Sequence, residues 1–164
     1  MTPVRIVVMG VSGCGKSTVG LALAQRRGVP FLEGDSLHPK SNIAAMAAGI
    51  ALDDAMRLPW LQSIASLIQN EPNGVVASCS ALRREYRNML RRQGPVFFVH
   101  LSLDIEQTRV RMQARSAHFM NPALAESQHA CLEPLIEEEW GMTVKADQPV
   151  GVIIDHVCTV LDRS

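Results

Sequence analysis

The sequence predicts an α/β fold, a parallel sheet with helices on both faces, from three observations. Short apolar runs alternate with helical patterns along all 164 residues. The runs are rich in β-branched or aromatic residues and unbroken by polar ones, as in strands buried on both faces. The first of them leads straight into a glycine-rich loop and then a helical pattern, which is the setting of a phosphate cradle.

In chain order, strands are expected over 4–9, 74–79, 96–103 and 142–145, with a very short one ending at Phe31-Leu32. Helices are expected over 17–27, 42–48, 58–70, 83–92, 105–115 and 150–161. In the helix at 58–70, Leu58, Leu61, Ala65 and Ile68 mark one apolar stripe, with Asp53 or Asp54 ahead of it and Pro59 in its first turn. No repeat, low-complexity tract or linker interrupts the pattern. A single domain over 1–164 follows, long enough to bury about 70% of the surface of its unfolded form.

Lys and Arg number 16 and Asp and Glu 16, so no global field argues for nucleic acid or a membrane surface as a partner. Only Lys16, Lys40 and Lys145 are lysines; arginine's planar fork suits phosphate or carboxylate. No apolar stretch approaches the roughly 20 residues of a membrane span. Cys14, Cys79, Cys131 and Cys158 show neither a C-x-x-C pair nor zinc spacing, as expected of reduced thiols in a cytoplasmic protein.

The loop after the first strand reads GVSGCGKST, residues 10–18. Gly10, Gly15, Lys16 and Ser17 satisfy G-x-x-x-x-G-K-[ST]. Glycines let the backbone curl so that N–H groups converge, and the following helix turns its positive end to the same point. Phosphates of ATP are expected on Gly10, Val11, Ser12, Gly13, Cys14, Gly15, Lys16, Ser17 and Thr18. Lys16 reaches the β- and γ-phosphates and the Ser17 hydroxyl holds Mg²⁺. Cys14 stands where the backbone does the cradling, so its thiol reads as an inert substitution.

A cradle alone does not say what happens to the phosphate. No aspartate is followed three residues later by glycine, and Val144-Lys145-Ala146-Asp147 cannot replace a guanine-binding N-K-x-D. A GTPase switch is therefore weakly supported. A small-molecule kinase needs an acceptor pocket, arginines for the transferring group and a cover against water. Asp35 follows the second strand, at the sheet edge where the phosphates sit, placed to take a hydroxyl proton or to order the magnesium water shell. His38 and Lys40 suit an anionic or polyhydroxy ligand, although each also reads as an ordinary turn residue. Ser80 ends the third strand, while Arg83 and Arg87 lie one turn apart, a spacing suited to clamping a carboxylate or phosphate. Arg111 and Arg115 repeat that spacing on the next helix, ahead of a polar stretch suited to a mobile cover. At the end of the third strand Ser78-Cys79-Ser80 offers no aspartate to the metal, leaving Asp35 or water to complete its shell.

MGVSGCGKST, FLEGDSLHPKSNIAAMAAGIALDDAMRLPWL, CSALRREYR, HFMNPALAESQHACLEPL and the late DQP together resemble the gluconokinase family along essentially the whole chain. The resemblance implies a nucleoside-monophosphate-kinase-like P-loop fold with a lid near 116–131. It also implies ATP- and Mg²⁺-dependent phosphorylation of D-gluconate to 6-phosphogluconate, in a homodimer. Lys16, Asp35 and Arg115 would be catalytic, and His38, Lys40, Arg57, Ser80, Arg83 and Arg87 would contact gluconate together with Asp35. Arg111, with Gln148 of the DQP loop, would serve the adenine side. Rival readings are a kinase for another acceptor, such as shikimate or a nucleotide, and a nucleotide-binding regulator without phosphotransfer. An RNA-binding role is remote, since the charge is balanced and the few aromatics form no stacking pattern.

Overall fold

The computed structural model describes residues 3–114 and 121–164. Five strands are present among them: β1 (Arg5–Met9), β2 (Phe31–Glu33), β3 (Val75–Ser78), β4 (Phe97–Ser102) and β5 (Gly141–Lys145). They form one parallel sheet in the order β2-β3-β1-β4-β5. The helices are α1 (Lys16–Arg27), α2 (Lys40–Ala47), α3 (Asp54–Asn70), α4 (Arg84–Leu90), α5 (Ile105–Ala114), α6 (Ala125–Cys131) and α7 (Val150–Leu161). Short 3₁₀ turns cover Gly34–Leu37 and Pro122–Leu124.

The central strands are buried on both faces, and their alternation divides the core. Ile6 and Val8 of β1, with Val76, Phe97, Val99 and Leu101, pack against α1 and α7. Val7 and Met9, with Val75, Ala77 and Phe98, pack against Trp60, Leu61, Ile64 and Ile68 of α3 and Tyr86 and Leu90 of α4. Helices thus cover both faces, which is what a parallel sheet requires. β1 hands the chain towards β2, whereas β3 hands it across to β4, so the crevice at their carboxyl ends is the switch point where such sheets bind ligands. Among the described residues no helix is long and apolar enough to cross a membrane.

α6 (Ala125–Cys131) lies outside the helices expected from the pattern, and α3 and α4 differ from expectation at their starts. α3 begins four residues early, at Asp54, because the Asp53 side chain accepts from Met56 N–H at 2.7 Å and caps it. Pro59 therefore falls in the second turn, not the first. Leu58 is 43% exposed, and the buried face is Trp60, Leu61, Ile64 and Ile68, with Ala65 at its margin. Trp60 turns inward because its indole N–H donates to the Gly34 carbonyl at 2.8 Å, which sets the phase of the helix. α4 begins at Arg84, whose N–H is capped by the Glu133 carboxylate at 3.2 Å, leaving Arg83 extended (φ −103°, ψ 147°).

Candidate active site

The loop from Gly10 to Gly15 curls through left-handed backbone, with Gly13 at φ 81° and Gly15 at φ 96°. Val11, Ser12, Gly13 and Cys14 are buried beneath α1 and α5, and Gly10 N–H donates to the Ser80 carbonyl at 3.2 Å. The cradle is thereby tied to the end of β3. Lys16 Nζ donates to the Val11 carbonyl at 3.0 Å, so its ammonium lies folded over the loop. Thr18 is exposed on α1. Cys14 is 2% exposed, as the inert reading requires.

A carboxylate that the sequence reading passed over meets the cradle. Glu33, the last residue of β2, accepts from Ser17 Oγ at 2.5 Å and from Ser78 Oγ at 2.6 Å. Ser78 Oγ in turn accepts from Gly34 N–H at 3.1 Å. The third strand does lack an aspartate here, but its serine holds the neighbouring strand's glutamate against the P-loop hydroxyl. The signal was available: Glu33 closes a strand two residues before Asp35 on the phosphate edge. Among the described residues no three His, Cys, Asp or Glu side chains form a metal cage. A hydroxyl and a carboxylate fit Mg²⁺, which keeps waters and phosphate oxygens in its shell and needs few protein ligands.

The structure brings Lys16, Asp35, His38, Arg57 and Ser80 into one pocket beside the cradle. Arg57 donates to the Tyr86 hydroxyl at 2.9 Å and lies 5.1 Å from that ring's centroid, while Tyr86 donates to Asp54 at 2.6 Å. Burial, with the nearby charge of Arg57, pushes the His38 pKa down to about 4 against the opposing pull of Asp35. The imidazole is therefore neutral at ordinary pH. Lys40 opens α2 on the exposed surface and is not among the residues that line this pocket.

The paired arginines are not brought together. Arg83 is exposed and is not among the residues that line the pocket. Arg87 is fully buried: Nε and Nη2 grip Glu139 at 2.8 and 2.9 Å, and Nη1 donates to the carbonyls of Ala81 and Leu82 at 2.9 and 3.3 Å. The carboxylate it clamps belongs to the protein, which corrects the expected contact with substrate. That expectation assumed a helix already formed at residue 83. What Arg87 does hold is the loop after β3, from which Ser80 and Leu82 face the pocket.

Arg111 of α5 reaches the Gly13 carbonyl at 3.3 Å and the Ala146 carbonyl at 3.4 Å, spanning the cradle and the loop after β5. Gln148 lies in that same loop, donating to the Lys145 carbonyl at 2.9 Å. Arg115 and the first part of the expected lid, 116–120, lie outside the described residues. From residue 121 onward the segment is docked. Asn121 N–H donates to Met46 O at 3.2 Å, and Leu124 and Ala125 pack with Met46, Leu52 and Met112. Gln128 lines the same pocket, and its Oε1 accepts from the Ser12 N–H of the cradle at 2.6 Å. Neither Gln128 nor Glu139 was singled out in the sequence, because each acquires meaning from a partner distant in the chain.

Four similarities to known proteins fit this geometry. The shikimate kinase family model matches residues 12–158. The gluconokinase of Gluconobacter oxydans is 39% identical over 161 residues, covering 96% of this chain and 90% of its own. A crystal structure of a gluconokinase from Sinorhizobium meliloti superposes with a TM-score of 0.88 at 43% identity, covering 98% of this chain and 93% of the other. A shikimate kinase from Aquifex aeolicus, 18% identical over 97% of this chain and 96% of its own, shares the fold at a TM-score of 0.61. With its parallel sheet, P-loop and adjoining pocket, the chain belongs to the gluconokinase family of nucleoside-monophosphate-kinase-like P-loop kinases.

Proposed function

We infer that this protein is a phosphotransferase with an alcohol acceptor, moving the γ-phosphoryl group of ATP to D-gluconate and releasing ADP and 6-phospho-D-gluconate. The carrying observation is one pocket that joins Lys16 of the cradle to Asp35, His38, Arg57 and Ser80. Gluconate has one carboxylate and a row of hydroxyls, which suits a guanidinium beside short polar donors and acceptors. In the transfer, the bond from the 6-hydroxyl oxygen to the γ-phosphorus forms as the bond from that phosphorus to ADP breaks.

Asp35 orients the hydroxyl and takes its proton, since His38 beside it is already the neutral, weakly basic partner. Lys16 swings from the Val11 carbonyl onto the phosphates, replacing one oxygen acceptor by stronger anionic ones. Ser17 and Glu33 hold Mg²⁺, which supplies positive charge for the transferring group when bound. The cradle's amides and Arg111 bind phosphate and the adenine side, with Gln148 near the base; Arg115 adds charge at the lid. Arg83 and Lys40, both exposed and neither lining the pocket, steer the anionic acceptor by their charge. A cytoplasmic homodimer is the assembly we propose. Sedimentation equilibrium giving one chain per particle removes the dimer.

The direct test is ADP release with ATP and Mg²⁺ across D-gluconate, shikimate, glycerate, AMP and no acceptor. Turnover with gluconate alone is expected. Turnover with a different acceptor keeps the cradle and overturns the specificity. No turnover in a sample that binds ATP favours a regulator.

A further inference from the structure

Asn42 of α2 is 2% exposed, beneath the acceptor pocket, and has no part in the transfer described above. Its Nδ2 lies 2.9 Å from the Met56 carbonyl oxygen and 3.3 Å from His38 Nδ1. A main-chain carbonyl only accepts, so the amide atom facing Met56 must be the nitrogen and not the oxygen. The second N–H of that nitrogen faces His38 Nδ1, which must then supply its lone pair. A neutral imidazole with Nδ1 unprotonated carries its proton on Nε2. A proton on Nδ1 would set two N–H groups head to head.

The surroundings act in the same direction. The His38 ring is stacked on Trp60, with centroids 4.0 Å apart and planes 17° from parallel, and Trp60 is pinned to the Gly34 carbonyl. Among the described residues, the charged groups that act on the ring are Arg57 from α3, which disfavours an imidazolium, and Asp35 from the turn after β2, which favours one. Burial adds to the effect of Arg57 and outweighs Asp35.

We propose that Asn42 is a positioning residue that fixes His38 as its Nε2–H tautomer, so that the acceptor pocket meets its ligand with a neutral donor at this point. The proposal rests on the reading of this pocket as the gluconate site. An Nε2–H donor matches an oxygen lone pair of a polyhydroxy acid. It also removes His38 as a competing base, because Nε2 then holds its proton and Nδ1 is occupied by Asn42. Asp35 is left as the only proton acceptor of the pair.

Long-range ¹H–¹⁵N correlation spectra of ring-labelled histidine, recorded without gluconate, test the tautomer directly. In the wild type, His38 should show Nδ1 unprotonated and Nε2 protonated between about pH 6 and 8. Asn42→Ala should mix the tautomers. It should also raise KM for gluconate roughly three- to tenfold, the loss of one well-placed hydrogen bond, with KM for ATP unchanged. In a His38→Ala background the same substitution should add nothing to KM. An Nδ1–H or imidazolium signal in the wild type overturns the proposal, and that spectrum needs no variant to fold. So does an Asn42→Ala protein with an unchanged tautomer, or one whose effect on KM survives in His38→Ala. Absence of gluconate turnover overturns the acceptor assignment instead, and appears in a different assay from the ring spectrum.

Discussion

Replacing Glu139 by Gln keeps the shape of the side chain and removes its charge from Arg87. The two groups are 1% and 0% exposed and meet through two prongs, at 2.8 and 2.9 Å. Burial alone would raise the Glu139 pKa; Arg87, the Ile136 N–H and Arg91 outweigh it and hold the carboxyl below its ordinary value. Removing one partner of a buried pair leaves an uncompensated charge and costs about 3–5 kcal/mol. For a chain of this size, at about 2–4 °C per kcal/mol, Tm should fall by about 6–20 °C. That is a large share of the roughly 5–15 kcal/mol available to a domain. Calorimetry gives Tm, and urea titration gives the free energy at 25 °C. The double variant Arg87→Met with Glu139→Leu should lose less than the two single changes added together, since it removes both charges at once. Folded Glu139→Gln should bind gluconate nearly normally, because Arg87 supports the loop after β3 and does not line the pocket. A loss below about 1 kcal/mol would refute the structural account of the pair. Additive losses in the double variant, or a lost gluconate site in a fully folded single variant, would do the same and restore Arg87 to the substrate.

Asp35→Asn should lower kcat by about 10²–10⁴-fold with ATP affinity intact; a fall under tenfold in folded protein would reduce Asp35 to positioning. Gln128→Ala removes an oxygen that competes with phosphate for the Ser12 N–H, so calorimetric binding of a non-hydrolysable ATP analogue should tighten a few-fold, and weaker binding would contradict this. His100 is buried with no hydrogen-bond partner for Nδ1 among the described residues, and burial with Arg87 pushes its pKa from 6.5 down to about 4. The unfolded chain takes up that proton first as pH falls. The stability His100 contributes is thus full above about pH 6.5 and lost towards pH 4, at most about 3 kcal/mol. His100→Phe should flatten that part of the acid limb in urea midpoints, and an unchanged limb would exclude His100 as its source.

The cradle was legible because its conformation and its chemistry lie in the same nine residues, and the strand ahead of it is unmistakably apolar. The buried strands were legible for a related reason: a parallel sheet covered on both sides leaves no polar alternation to confuse. The face of α3 was not, since its phase is set by the bond from Trp60 to Gly34, a carbonyl 26 positions away. The spacing of Arg83 and Arg87 was real, but α4 starts after the first of them, and the acid that claims the second lies 52 positions on. Nothing in the run Glu137-Glu138-Glu139 marks which carboxylate turns inward. His38 was found, but its tautomer depends on Asn42 and Met56, a contact no spacing rule encodes.

Glu33 and Asp35 show how the fold separates two carboxylates that the chain places two residues apart. Continued as a strand, β2 would turn both side chains to one face. The chain instead breaks into a 3₁₀ turn at Gly34, where a β-carbon would lie 1.9 Å from the Ser78 carbonyl oxygen. Only glycine lets the backbone approach β3 so closely. The approach brings Gly34 N–H to Ser78 Oγ, and the same hydroxyl anchors Glu33 beside Ser17. On the far side of the turn Asp35 enters the pocket with His38 and Arg57. One carboxylate thus faces the P-loop hydroxyl and the other the pocket, and their division depends on a missing methyl group. Gly34→Ala must push β2 away from β3, so it should abolish turnover even where circular dichroism shows the helices retained. Wild-type turnover in that variant would mean that the close approach does not organise the site.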